Sequence, residues 1–146
     1  MQKREKRLQP LSELAGMRER NQAAALGASE RRLSEAERRL QDLQRYRQEY
    51  EQSFHRTATA GAPMRGLREQ QVFIARLAEA VRAQQMILEQ IRTECVLARQ
   101  HWREAATRKQ VVGKVVERAR QEAVVKDERR QQIDNDERAM HSRVPR

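Results

Sequence analysis

The sequence predicts an all-α fold: two long helices forming an antiparallel coiled-coil hairpin, with the second helix overhanging the first. Three observations predict it. Helix-forming Ala, Glu, Gln, Arg and Leu dominate throughout. Apolar residues recur at alternating steps of three and four on both sides of one break. That break holds two glycines and a proline.

The chain of 146 residues is 38% apolar and 36% charged, which makes it less apolar than an ordinary globular domain. Only Trp102, Tyr46, Tyr50, Phe54 and Phe73 supply aromatic bulk, so a compact core would be thin. High charge and low hydropathy are also the signature of disorder, and the regular apolar spacing decides for helix. The formal charge of +10 is dispersed, with an excess of basic groups in residues 1–57, 58–102 and 103–146 alike. Such an excess keeps solvated helices soluble and biases them toward acidic partners. No basic block has the concentration of a nucleic-acid arm. Cys95 is the one cysteine, so no intrachain disulfide forms, and its place in the apolar rhythm reads as a small buried thiol. The basic start, Met1 to Arg7, is followed by no hydrophobic signal segment, and no apolar run is long enough to span a bilayer.

The chain reads as one domain, residues 1–146. Helix one is expected over about residues 8–57. Pro10 suits a first helical turn, where a missing amide proton costs nothing. Leu8, Leu11, Ala15 and Ala25 are its early apolar positions. From Leu33 the rhythm is clear through Ala36, Leu40, Leu43, Arg47, Tyr50 and Phe54. The stretch from Arg18 to Ser29, with Gly27, fits poorly and predicts a stutter or local loosening. Arg47 at a seam position has two readings: its stem packs while the guanidinium reaches water, or it penalises wrong registers.

The loop is expected over about residues 58–66, with Gly61, Pro63 and Gly66 interrupting the pattern. Helix two follows over about residues 67–142. Its seam reads Ile74, Leu77, Val81, Gln84, Leu88, Ile91, Cys95, Ala98, Trp102, Ala105, Lys109, Val112, Val116, Ala119 and Ala123, continuing weakly through Ile133 and Met140. Pairs such as Glu35–Arg39 and Glu104–Arg108 stand at helical spacing. Pro145 ends the helix. Rise per residue gives the first helix about 75–80 Å and the second about 110–115 Å. An exposed, charged overhang is therefore expected from about residue 117, and a lone helix of that kind gains order on binding a partner.

Motifs for chemistry are missing. No glycine-rich phosphate loop, paired cysteine ligands or histidine–carboxylate metal motif occurs, so no cofactor is expected. His55, His101 and His141 read as solvated helix residues. The Asp134, Asp136 and Glu137 cluster lacks the concave site that paired carboxylates need for acid–base work. The expectation is a protein that is not an enzyme and acts by touching other proteins.

Several pieces together resemble the FliJ family, the small coiled-coil protein of the flagellar type III export apparatus. They are Leu40, Leu43, Tyr46 and Tyr50 closing helix one, and Gln71-Val72-Phe73-Ile74-Ala75-Arg76-Leu77 with Ala80 and Gln84 opening helix two. Trp102-Arg103-Glu104, Glu117-Arg118 and the charged tail with Asp134 and Glu137 complete them. The resemblance implies a stalk-like coupling protein, similar to the central stalk subunit of rotary ATPases and monomeric when free. Its partners would be the hexameric flagellar export ATPase, the large membrane export-gate protein and export chaperones. It would be cytoplasmic, peripheral to the inner-membrane export apparatus. The gate-contacting stripe would fall on Phe73, Leu77, Ala80 and Gln84. Phe73 flanks the seam and fits either a partner contact or a widened local core. For the ATPase, the chain ends are expected: Leu8 and Leu11, with Glu117, Arg118, Arg120 and Arg129.

Other functions are weighed against this one. A generic coiled-coil scaffold dimerising in trans is opposed by the loop near Gly61 and the unequal arms. The equivalent stalk protein of a virulence-type secretion system shares the architecture. Nucleic-acid binding is opposed by arginines that alternate with glutamates, and a membrane-surface helix by the scarcity of bulky apolar residues.

Overall fold

The computed structural model describes residues 2–143. They form two helices, α1 (Gln2–Thr59) and α2 (Met64–Ser142), packed as an antiparallel hairpin. Pro145 lies outside the described residues. Contacts group the chain into two compact units, each built from a piece of both helices: residues 23–101, and residues 2–22 with 102–143.

The turn lies in the unit of residues 23–101 and is narrower than the loop expected over 58–66. Gly61 takes a left-handed φ of 78°, and two hydrogen bonds wrap the helix end around it. The Ala62 amide donates to the Thr57 carbonyl at 3.3 Å and the Gly61 amide to the Ala58 carbonyl at 3.2 Å. This pair of bonds is a Schellman cap, which satisfies carbonyls a helix end otherwise leaves open. Pro63 follows at once, and its carbonyl accepts the Leu67 amide at 3.3 Å as the first bond of α2. A side chain at position 61 would strain the left-handed backbone by about 1–2 kcal/mol.

In this unit the seam is packed by alternation. Val81, Leu88 and Cys95 of α2 and Ala36 of α1 are buried, while Ile74, Leu77, Ile91, Ala98, Leu33, Leu40, Leu43 and Phe54 are half-buried. A fully buried Val or Leu contributes about 1.5–3 kcal/mol, so these few positions carry much of the unit's stability. Arg47 is half-buried and its Nε donates to Glu51 one turn on, at 3.0 Å. Its charge is thus satisfied at the surface while its stem lies on the seam.

The unit of residues 2–22 and 102–143 is thinner. Ala15, Gly16, Ala119 and Ala123 are buried, with Leu8, Ser12, Gln22, Trp102, Ala105, Val112 and Val116 half-buried. Lys109, expected in the seam, is exposed. It reaches Glu19 across the pair at 3.8 Å.

Further expectations require correction. Helix one begins at Gln2, so Pro10 lies inside it rather than in its first turn. The preceding residues are strong helix formers, and Arg4 is held to Glu122 of α2 at 3.1 Å. α1 lies against α2 up to the buried Ala123, so the unpaired overhang begins near residue 124 rather than 117. No stutter is needed between Arg18 and Ser29. Ser12, Ala15, Glu19, Gln22, Leu26, Ser29 and Leu33 keep the three–four spacing, and all are buried or half-buried. The pattern looked broken because polar residues hold seam positions; Leu11 and Ala25, expected there, are exposed instead. Among the described residues, the Glu35–Arg39 and Glu104–Arg108 pairs are not within ion-pair distance, whereas Asp42–Arg45, Arg47–Glu51 and Glu89–Arg92 are. Exposed pairs of this kind contribute little in any case.

Candidate partner-binding surfaces

Phe73, Leu77, Ala80 and Gln84 all lie in the unit of residues 23–101, along the first turns of α2. Phe73 is 41% exposed. Its ring stands 4.6 Å from that of Tyr50 at a tilt of 54°, an arrangement aromatic pairs favour. Tyr50 and Tyr46 are themselves exposed, so an aromatic patch spans both helices beside the seam. Val72 adjoins it, and Arg68 and Arg76 border a shallow groove over Val72 and Phe73. Leu77 and Ala80 are half-buried at the seam margin.

Gln84 differs from the other three. It is only 9% exposed, and its amide Nε2 donates to the Ala36 carbonyl at 3.2 Å. A helix carbonyl already bonded along its own helix has a second lone pair to accept this bond, and the small Ala36 side chain leaves the oxygen within reach. The geometry gives Gln84 a place inside the pair. Its seam phase was legible in the sequence, but its bond to the Ala36 carbonyl was not.

The remaining predicted contacts belong to the unit of residues 2–22 and 102–143. Leu8 is half-buried, and Leu11, Glu117, Arg118, Arg120 and Arg129 are exposed. Beyond Ala123 every described residue of α2 is exposed, including Val124, Val125, Ile133 and Met140. Ile133 and Met140 keep the phase of the seam without an α1 neighbour.

Sequence reasoning missed one constellation in the same unit. Glu19 accepts the Trp102 indole N–H at 3.1 Å, and Lys109 lies 3.8 Å from its other oxygen. Trp102 and Lys109 stand two turns apart on α2 and bracket the carboxylate from both sides. The signal was present as a lone tryptophan and a lysine in one seam phase; the acidic partner was hidden in the stretch that seemed out of register.

Among the described residues no three His, Cys, Asp or Glu side chains gather to hold a metal, and no helix is long and apolar enough to cross a membrane. The family model described as "Flagellar FliJ protein" matches residues 4–143. No curated protein and no solved structure matches the chain.

Proposed function

Because the chain belongs to the FliJ family, whose members are non-enzymatic stalk proteins of flagellar type III export, we propose that it couples the hexameric export ATPase to the membrane export gate. The observation that carries this reading is the bare continuation of α2 past Ala123. An exposed helix whose Ile133 and Met140 still follow the seam phase is suited to enter a ring lined by other subunits. In such a ring a helical pair favours particular subunit conformations through differential contacts. Leu8 and Leu11 of α1, with Glu117, Arg118, Arg120 and Arg129 of α2, supply the surface that meets the ATPase. The basic excess speeds its association with acidic surface.

The gate is assigned to the patch of Phe73, Leu77 and Ala80, with Gln84 supporting it from within. The tilted Phe73–Tyr50 pair presents apolar area at low entropic cost, the property that makes aromatics anchors of interfaces. Export chaperones are further partners, and the protein is placed in the cytoplasm, peripheral to the export apparatus.

Pull-downs from cytoplasm and membrane fractions test both assignments. The intact chain should recover the hexameric ATPase and the gate protein. A chain ending at Val116, which lacks Glu117, Arg118, Arg120 and Arg129, should lose the ATPase alone, and Phe73→Ala/Leu77→Ala should lose the gate protein alone. Recovery of neither by the intact chain would refute the coupling role.

A further inference from the structure

Among the seam positions of each helix, one charged residue finds its match. From Leu8 to Phe54 the three–four positions of α1 hold a single carboxylate, Glu19. From Ile74 to Ala123 those of α2 hold a single cation, Lys109, and a single aromatic ring, Trp102. These three meet in one place. Glu19 accepts the Trp102 indole N–H at 3.1 Å through one oxygen and lies 3.8 Å from the Lys109 Nζ through the other. Its side chain is only 19% exposed, so the carboxylate has given up most of its water and is costly wherever these partners are missing. Among the described residues, the other ion pairs that cross between the helices are Arg4–Glu122, Arg32–Glu94 and Arg99–Glu30. They are exposed at both ends and contribute little.

Apolar packing beside this site does little to choose an alignment. Ser12, Ala15, Ala105, Ala119 and Ala123 are small, and knobs of one size fit the holes one heptad along about as well as their own. A slip of one heptad that extends the cover of α2 by α1 would put Leu26 over Trp102 and Lys109 and set Glu19 against Val112. Leucine packs well on an indole ring, so the apolar surfaces lose little. The indole N–H, however, loses its acceptor, and Glu19 loses both its partners. Such a slip carries the turn three or four residues along the Gly61–Gly66 segment, which has a glycine at each end to take a left-handed place.

We propose that Glu19 locks the register of the helical pair. Its bond to the Trp102 N–H, with Lys109 beside it, excludes the alignment one heptad along and so fixes the residue near 124 at which α2 becomes bare. Without the lock the cover would extend by about seven residues, roughly 10 Å of helix. A polar group at a seam position chooses alignment at a cost in stability, which separates this role from that of an ordinary supporting contact. The lock rests on neither the ATPase nor the gate assignment, since both its sides belong to this chain.

Cysteine-pair crosslinking of the full chain, with Cys95→Ala throughout, reads the register. The Arg4–Glu122 and Glu19–Trp102 contacts place Ser12 near Val112. Ser12→Cys/Val112→Cys therefore reports the native alignment, and Ser12→Cys/Ala119→Cys the slipped one. The parent should give the native disulfide almost alone. Glu19→Leu should raise the slipped product about tenfold, with melting unchanged or higher because leucine adds apolar area to the seam. Trp102→Phe removes the N–H and should raise the same product. Glu19→Gln keeps an acceptor for the indole and should hold the native alignment. Gly66→Ala, where an added Cβ meets nothing within 4 Å, should suppress the slipped product of Glu19→Leu. A slipped product that stays at the parent level in both Glu19→Leu and Trp102→Phe would overturn the proposal. So would a Glu19→Leu chain that melts lower with its crosslinks unchanged, since that marks a contact that supports the fold without choosing its alignment.

Discussion

Gln84 shows how one polar side chain divides stability from recognition. Its amide bond to Ala36 lies across the pair, in a seam whose neighbours Val81 and Leu88 are buried. Replacing it by alanine removes the bond and opens a cavity, at a cost of about 1–3 kcal/mol. Leucine fills the volume and removes the polar group, so Gln84→Leu should match or exceed the parent in urea unfolding. The same leucine should loosen discrimination between registers, since a buried polar contact is the device that specifies alignment. If Gln84→Ala leaves the unfolding midpoint unchanged yet abolishes gate binding, the side chain acts at the surface and its inward placement is refuted. Ser29 offers a contrast. It is 2% exposed and its hydroxyl has no hydrogen-bond partner, so here seam polarity comes without a compensating bond.

Among the elements, α1 holds the more instructive irregularity. Pro10 lies within a continuous helix, where it cannot donate to the carbonyl one turn earlier and crowds it. The turn before it meets α2 through the half-buried Leu8, with the exposed Arg4–Glu122 pair beside it. Pro10→Ala should slow amide exchange across residues 3–9 by restoring up to about 3 kcal/mol of local helix stability. Unchanged exchange there would mean that contact with α2, not the backbone, sets the stability of this arm. The same helix marks the limit of what the sequence discloses. In α2 the seam from Ile74 to Ala123 was readable because Val81, Leu88 and Cys95 are apolar and evenly spaced. In α1 it was lost between Arg18 and Ser29 because Glu19, Gln22 and Ser29 hold seam positions. Hydropathy cannot report a polar residue facing inward; only the partner across the pair does, as Trp102 does for Glu19. The turn was legible from Gly61 and Pro63, and the aromatic patch only in part, since Phe73 was visible but its pairing with Tyr50 was not.

At the scale of the whole molecule, the packed seam and the fully exposed helix occupy different stretches of α2. Buried and half-buried positions end at Ala123, and all described residues beyond it are exposed. A helix without tertiary contacts is marginal, because nucleation is costly and propagation returns little per residue. The segment from residue 124 to 143 should therefore exchange its amides far faster than residues 74–98 in the free chain. Ending the chain at Ala123 should shift the thermal midpoint by less than the roughly 4 °C that a loss of 1 kcal/mol produces at this size. Full protection of residues 124–143 in the isolated protein, or a large drop in melting on their removal, would mean that the tail has a partner within the free chain. Rapid exchange that becomes slow when the export ATPase is added would instead locate the ordering energy in the complex, as expected of a segment that folds on binding.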